Sequence, residues 1–260
     1  MKLFFHRIRE SPLWIYLSMA LIAMIILIWN CARVWSFTAD DSFITFRYAV
    51  NLGRGLGPNF NQVPPRAEGY TSVLWMLCMV LPHLGGFGVL DFAKISGVLA
   101  VIGTLGWMGV FLWHAGPAEE RVSRMAAGGL AALFLALLPE TAVHAVSGME
   151  TAGYLFLLTG LATLAYLAIT GRRWAADWLP AAALLAGLMR PEANLVAVLA
   201  LAAVYLRSTQ RRRLLLRTVL IYLIPGATYF LWRWHYFGVL LPLPFYIKTG
   251  GAGLPGLSVV

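Results

Sequence analysis

The sequence predicts an all-α protein built as a polytopic bundle of transmembrane helices, and three observations support this fold class. Hydrophobic residues make up 60% of the 260-residue chain and charged residues only 12%, about half the charged share of a soluble domain. Apolar segments recur along the whole sequence, and several approach the roughly 20 residues that a helix needs to cross a bilayer. The arginines cluster between these segments, as they do in cytoplasmic loops of membrane proteins.

Eight apolar segments organise the chain: 13–35, 70–84, 90–114, 124–139, 152–169, 177–189, 193–206 and 218–237. The basic N-terminus, which has no small-residue cleavage site, predicts a retained anchor that starts in the cytoplasm. Eight crossings would then place Arg121 and Arg124 outside. Segment 70–84 has only about a dozen residues before Pro82, which we expect to end its helix, and a glycine pair follows at Gly85. It is therefore shorter than a span requires, and we expect it to lie in or dip into the outer leaflet. Seven crossings remain, and every basic cluster falls inside.

This topology predicts one transmembrane domain over 1–260, with 36–90 as an extracytoplasmic loop that carries two juxtamembrane helices. Four of the 11 acidic residues, Glu10, Glu119, Glu120 and Asp177, fall on the cytoplasmic side. The other seven therefore lie outside. Although the net charge is +9, no basic stripe interleaved with exposed aromatics indicates nucleic-acid binding. Two cysteines, Cys31 and Cys78, predict separate buried thiols instead of a disulfide framework.

The adjacent carboxylates of Asp40 and Asp41 form the first candidate site. They follow an apolar segment long enough to cross the bilayer, where an ionised carboxylate is seldom kept without a use. Residues 42–52 are predicted to form a helix that glycines end, so one Asp could instead cap this helix. Capping explains one carboxylate and not its neighbour. Two carboxylates that repel each other provide a better general base.

Three other motifs carry charged residues on the same predicted face. Glu68 in AEGYT and Glu150 in SGMET each open a predicted helix, so each alone is typical of a first-turn acid favoured by the helix dipole. Arg190 and Glu192 in MRPEA lie between short apolar segments, below the membrane surface, where charges need partners or a ligand. A local ion pair between them is the alternative. Lys248 in LPLPFYIK either snorkels from an aromatic belt or provides a cation for a phosphate.

The remaining patterns exclude several site classes. No cluster of His, Cys and carboxylate has the spacing of a zinc site. The turn at 53–57 is not a nucleotide fingerprint, because no strand precedes it. We therefore expect no nucleic-acid partner and no required cofactor. The number of carboxylates is compatible with a divalent metal without implying one.

The motifs TADDSFITFRYAVNLGRGLG, AEGYTSVLW, SGMET, MRPEA and LPLPFYIK, in this order and spacing, resemble the polyprenyl-phosphate-sugar-dependent membrane glycosyltransferases of the C superfamily (GT-C). The resemblance covers nearly the whole chain and is closest to the terminal arabinofuranosyltransferase branch. It implies that the segment after EGYT is a juxtamembrane helix, in agreement with the count of crossings. Family members usually have further spans and often a soluble C-terminal domain, so it also implies a truncated member.

The resemblance implies an inverting glycosyltransferase of the bacterial inner membrane with its active site on the extracytoplasmic side. Asp40 would be the general base, with Asp41 orienting it, and the transition state would be oxocarbenium-like. Arg190 and Lys248 would stabilise the departing phosphate. The other expected substrate-binding residues are Arg47, Glu68, Tyr70, Glu150, Glu192 and Tyr246. The expected partners are a polyprenyl-phosphate-linked sugar donor, a glycan or lipid acceptor, and membrane lipid.

The sequence leaves two functions of other classes open. A lipid-linked saccharide transporter or flippase would share the seven crossings and the polar cavity. Such a protein should place polar residues within reach of both faces and break helices near the midplane. The carboxylates lie on one predicted face, which favours an enzyme. A non-catalytic membrane scaffold that depends on a partner is consistent with the short chain.

Overall fold

The computed structural model describes residues 12–63 and 66–248, without the side chains of Ile247 and Lys248. Every regular element in this part of the chain is helical, which confirms the all-α class. The α-helices are α1 Pro12–Arg33, α2 Asp40–Gly53, α3 Val73–Leu84, α4 Val89–His114, α5 Arg121–Leu137, α6 Pro139–Val146, α7 Thr151–Ile169, α8 Arg173–Met189, α9 Ala193–Arg207, α10 Arg211–Arg217, α11 Ile224–Phe237 and α12 Leu243–Lys248. A 3-10 turn, Ala118–Glu120, leads into α5, and a π-helix, Thr218–Leu223, joins α10 to α11.

The lengths of the helices agree with a polytopic membrane protein. Among the described residues, four helical segments are long and apolar enough to cross a bilayer: α1, α4, α7 and the continuous stretch from α10 to α11. The 118–137 helical segment and α6, bent by 66°, make a fifth if they count as one span. At about 1.5 Å per residue, α8 and α9 extend only about 26 and 23 Å. The seven crossings therefore stay a prediction.

Helix α3 begins at Val73 and has 12 residues, so it extends only about 18 Å and falls short of the roughly 30 Å hydrocarbon core. This length agrees with a juxtamembrane helix. The expectation that Pro82 ends the helix is wrong, because Pro82 lies inside its last turn and the helix continues to Leu84. The carbonyl of Pro82 accepts from the N–H of Phe87 at 2.8 Å, in the turn after the helix.

Two groups of helices form the body of the bundle. Helices α1, α4, α5 and α6 enclose a core that includes Leu27, Val101 and Ala132, and α7, α8 and α9 enclose one that includes Leu161 and Leu179. Small residues set the spacing of the helices, as is common in membrane bundles. A methyl group added at Gly128 would meet Leu112, and one at Gly97 would meet the carbonyl of Ala145. Contacts between α4 and α7 join the two groups.

A third cluster closes one end of the bundle. Residues of α2 and α3, including Tyr48, Trp75 and Met79, pack there against Met189 at the end of α8 and Phe237 at the end of α11. The segments that precede α2, α3 and α7, and the turn after α8, all reach this end. We call these segments (35–41, 66–72, 147–150 and 189–192) the loop end.

Candidate functional site

Hydrogen bonds join the sequence motifs at the loop end. The N–H of Ala39 donates to the carbonyl of Ser147 at 2.9 Å. The indole N–H of Trp75 donates to the carbonyl of Gly148, also at 2.9 Å. The hydroxyl of Ser72 lies 3.5 Å from the sulfur of Met189. Four motifs that are far apart in the sequence therefore form one region.

Gly148 allows the SGMET segment to lie directly against α2. Its φ of +82° is a backbone conformation that a residue with a Cβ rarely adopts. A Cβ at this position would meet the Ser42 hydroxyl oxygen at 3.0 Å and the Phe46 ring at 3.1 Å. Ser42 is buried and donates to the carbonyl of Ala39 at 2.6 Å. Glycine at 148 therefore fixes the distance between the SGMET segment and the start of α2.

Asp40 and Asp41 are the first two residues of α2, where the helix dipole favours carboxylates. The N-cap residue is Ala39, and no side chain caps the helix, so the capping alternative is wrong. Both Asp side chains are exposed. Within the described residues, neither makes an ion pair or a side-chain hydrogen bond. The two carboxylates are therefore open to a molecule that approaches the loop end from water.

A buried lysine anchors the segment that leads to Asp40. Lys94, in α4, is only 2% exposed. Its ammonium donates to the carbonyls of Trp35 and Phe37, the second at 2.7 Å. Sequence reasoning missed this residue. The available signal was a single lysine inside the apolar segment 90–114, because a cation in such a segment is costly unless it has partners.

The pair of Glu68 and Arg233 is the most deeply buried ion pair of the loop end. The two residues are 2% and 5% exposed. The Nε of Arg233 donates to both carboxylate oxygens, at 3.1 and 2.9 Å, and Nη2 donates to Oε2. Nη1 donates to the carbonyl of Leu240 at 2.6 Å. Arg233 therefore ties the AEGYT segment to the chain beyond α11.

This geometry corrects the expectation for Glu68. Glu68 precedes α3 by five residues, so it is not a first-turn acid of that helix. Burial raises the pKa of Glu68, and the guanidinium of Arg233 acts in the opposite direction. Sequence reasoning missed Arg233, although an arginine inside an otherwise apolar span is a standard sign of a site.

Two tyrosines lie beside this ion pair. Tyr48 donates to the carbonyl of Ala67 at 2.6 Å and accepts from the N–H of Gly69 at 2.9 Å. Tyr70 packs edge-on against Tyr48, and the ring centroids are 4.8 Å apart. Burial raises the pKa of Tyr70. Its buried hydroxyl has no hydrogen-bond partner within the described part of the chain. This neutral phenol can therefore donate a hydrogen bond to a bound ligand.

Arg190 lies between two glutamates. Its Nε is 2.9 Å from Oε1 of Glu192 and 3.7 Å from Oε1 of Glu150. The local ion pair expected as the alternative is therefore present, and Glu150 joins it from the N-cap position of α7. The buried Nε makes no hydrogen bond within the described part of the chain, so these contacts are ion pairs only. The guanidinium also lies 5.5 Å from the ring centroid of Tyr154.

A cavity of about 420 Å³ opens between the α8–α9 turn, α11 and the segment after α11. Glu68, Arg233 and Pro191 line it, together with mainly apolar side chains such as Phe230 and Phe245. Apolar walls with a few polar groups are typical of small-molecule sites. Neither Asp40 nor Asp41 lines this cavity. The structure therefore brings Glu68 and Arg233 to the cavity. The ion pairs of Arg190 lie outside its lining, and the two aspartates stay at the exposed surface.

The other expected site residues lie around this region. The exposed Arg47 donates from Nε to the carbonyl of Phe60 at 3.2 Å. The hydroxyl of Tyr246, in α12, accepts from the N–H of Leu241 at 3.3 Å, and Leu241 lines the cavity. The side chain of Lys248 lies outside the described atoms. In the described part of the chain, no group of three or more His, Cys, Asp or Glu side chains could hold a metal ion.

Comparison with known proteins shows one informative similarity. The chain is 32% identical over 242 residues to the terminal β-(1→2)-arabinofuranosyltransferase of Mycobacterium tuberculosis. The match covers 88% of this chain and 37% of the relative, so the chain spans little more than a third of that protein. No protein-family model matches, and no solved structure matches. The similarity supports the resemblance to arabinofuranosyltransferases, whereas the C-superfamily assignment and the truncation stay predictions.

Proposed function

We propose that the protein is an inverting glycosyltransferase that moves a sugar from a polyprenyl-phosphate donor to a cell-envelope glycan or another extracytoplasmic acceptor. The observation that carries this proposal is the convergence of the motif segments at the loop end. The similarity to an arabinofuranosyltransferase supports glycosyl transfer. The same proposal places the chain in the bacterial inner membrane with the loop end outside.

Asp40 is the proposed general base. Its carboxylate is exposed at the start of α2, so an acceptor hydroxyl can reach it from water. As the acceptor oxygen attacks the anomeric carbon, its proton passes to Asp40 and the bond from that carbon to the phosphate oxygen breaks. The phosphate leaves with the electron pair of that bond. Attack opposite the departing phosphate inverts the anomeric configuration, and Asp41 orients the base.

Arg190 is the proposed cation for the donor phosphate. It precedes Pro191, which lines the 420 Å³ cavity, so a phosphate at the mouth of the cavity lies next to this turn. Both neighbouring carboxylates make their shortest approach to Nε, which leaves the two terminal amino groups for the phosphate oxygens. The apolar wall of the cavity suits the first part of a polyprenyl chain. Lys248 stays a proposed second cation.

The contacts of the remaining site residues determine the roles that we assign to them. Both carboxylate oxygens of Glu68 accept hydrogen bonds from Arg233, so we assign Glu68 to positioning the AEGYT segment instead of direct sugar binding. Glu150 and Glu192 hold Arg190 in place. Tyr70, whose hydroxyl has no partner in the described part of the chain, is proposed to contact the sugar, and Arg47 and Tyr246 are proposed to border the donor and acceptor. Arabinofuranose is the first sugar to test, because the relative's name specifies it.

Binding of a polyprenyl-phosphate sugar to the purified protein tests the donor site. We expect Arg190→Ala and Arg190→Lys both to weaken binding, by about tenfold or more, because Lys keeps the charge and loses the planar pair of donors. The matched control is Arg54→Ala, which removes an exposed arginine just after α2. Control and wild type should bind equally. Wild-type affinity in both Arg190 variants would contradict the phosphate assignment.

The same preparation separates an enzyme from a flippase. Proteoliposomes that contain labelled donor are assayed for sugar transfer and for movement of the donor between leaflets. The proposal predicts transfer without protein-dependent movement. Movement without transfer would contradict it and favour the flippase.

A further inference from the structure

A second cavity, with a more polar lining than the first, lies at the opposite end of the bundle from the loop end. It measures about 250 Å³ and lies between the α7–α8 turn and the α9–α10 connection. Helix α8 begins at this cavity with Arg173 and ends at the loop end with Met189, so the two ends are about 26 Å apart. We call it the basic cavity. It is therefore separate from the candidate active site, and a ligand bound there is independent of the proposed glycosyl transfer.

The lining of the basic cavity is strongly positive. Among the described residues that line it, four are arginines and one is acidic: Arg172, Arg173, Arg207, Arg213 and Asp177. Asp177 is already shared between Arg213, at 2.6 Å, and Arg217, at 3.3 Å. The other three arginines are exposed and make no ion pair within the described part of the chain. The lining therefore has a net charge of +3, with no further carboxylate to neutralise it.

Two of the arginines also lie where the helix dipole disfavours cations. Arg172 is the N-cap residue of α8 and Arg173 its first residue, and the first turn contains no acid. The dipole at that end attracts anions, so the arginines and the helix add to one positive field. Trp174 and Trp178 are exposed on the same helix and are typical of the membrane–water interface. The basic cavity therefore lies at the depth of lipid headgroups.

We propose that the basic cavity binds an anionic phosphate group, carried by an anionic membrane lipid or present as free phosphate. Guanidinium groups match phosphate oxygens with paired donors, and basic pockets beside membrane helices bind anionic headgroups. The positive-inside pattern alone requires only that basic residues lie in the loops. It does not require that three unpaired arginines line one concave site at a helix N-terminus.

The test measures binding of single lipids to the full chain in detergent by native mass spectrometry. Phosphatidylglycerol should bind more tightly than phosphatidylcholine, whose headgroup has no net charge. Arg172→Gln and Arg207→Gln should each weaken phosphatidylglycerol binding about fivefold, which corresponds to roughly 1 kcal/mol for each basic residue. The matched control is Arg212→Gln, because Arg212 is exposed on α10 and does not line the basic cavity. It should change the affinity by less than about twofold, since its charge lies outside the site.

A second arm separates the two sources of phosphate. Thermal unfolding of the same protein is followed with added inorganic phosphate and with added phosphatidylglycerol. Stabilisation by phosphatidylglycerol alone identifies a lipid site, and stabilisation by inorganic phosphate that Arg172→Gln abolishes identifies a free-phosphate site. Equal binding of the two lipids together with no effect of phosphate would overturn the proposal. Equal losses in Arg172→Gln, Arg207→Gln and Arg212→Gln would also overturn it, because they would indicate only a diffuse surface charge.

Discussion

At the scale of single residues, Arg233 determines how the loop end is held. Among the described residues, Arg233 is the only arginine that is buried. It donates hydrogen bonds to the carboxylate of Glu68 and to the carbonyl of Leu240. Removing one member of a buried ion pair leaves an uncompensated charge, which costs about 3–5 kcal/mol. The attachment of the AEGYT segment to α11 therefore depends on both partners.

Glu68→Gln and Arg233→Gln should each lower the free energy of unfolding by about 3 kcal/mol. The double variant should lose clearly less than the sum, because neither side chain then leaves a buried charge behind. Unfolding in mixed micelles measures all three variants. The control is Glu120→Gln, which removes a mainly exposed i,i+4 partner of Arg124 and should change stability by about 0.5 kcal/mol or less. Strictly additive losses for the two sites would contradict a direct pair.

Contacts between residues that are close along the chain could be considered from the sequence. In MRPEA a local Arg190–Glu192 ion pair was the alternative to a ligand site, and the structure contains that pair. Glu68 and Arg233 are 165 residues apart, and their pairing depends on how α11 packs against the AEGYT segment. Local patterns such as a first-turn acid could not show this contact, because they contain no distance between the two segments.

At the scale of elements, α4 positions the segment that leads to Asp40. Lys94 donates to two carbonyls of that segment from inside the bundle, and the N–H of Ala39 is bonded to Ser147. The start of α2 is therefore held from two sides. This arrangement accounts for an exposed aspartate pair in a fixed place.

Replacing Lys94 with Met should release this segment while α4 stays helical. Two carbonyls lose a charged donor, so local opening should increase about tenfold or more. Chymotrypsin cleavage after Trp35 or Phe37, both exposed, measures this opening in detergent. Thr104→Val is the control, since it removes a hydrogen bond within the same helix and should leave cleavage unchanged. Wild-type cleavage rates in Lys94→Met would show that Lys94 does not anchor the segment.

Element boundaries were only partly predictable. Glycine at 53, 55 and 57 correctly indicated the end of α2. The start was placed at Ser42, two residues late, because an Asp can occupy either the N-cap or the first turn and the sequence does not distinguish them. The helix Pro139–Val146 begins at the end of the apolar segment 124–139 and lies before the next one, 152–169, in a stretch for which no element was predicted. Its eight residues are too few for periodicity to identify.

At the scale of the whole molecule, charge is divided between the two ends of the bundle. Carboxylates collect at the loop end, and arginines line the basic cavity about 26 Å away along α8. Composition and the spacing of apolar segments predicted the helical membrane class. They could not settle the number of crossings, because α8 and α9 are shorter than a full span.

Labelling of single cysteines in intact cells tests the orientation, in a chain from which Cys31 and Cys78 have been removed. Phe87→Cys, at a position 73% exposed after α3, should react with a membrane-impermeant thiol reagent. Thr209→Cys, exposed between α9 and α10, should react only after the cells are permeabilised. The reverse pattern would show that the loop end faces the cytoplasm and would rule out an extracytoplasmic active site.

Sugar transfer by the purified chain in proteoliposomes is the most direct test of the proposed enzyme. The assay uses a polyprenyl-phosphate-linked arabinofuranose donor and an arabinan oligosaccharide acceptor, with wild type, Asp40→Asn and the control Asp91→Asn, an exposed first-turn acid of α4. We predict transfer by the wild type, a loss of about 100-fold or more in Asp40→Asn, and near-wild-type rates in Asp91→Asn. Full activity in Asp40→Asn, or no transfer by a wild-type protein that binds the donor, would contradict glycosyl transfer with Asp40 as its base.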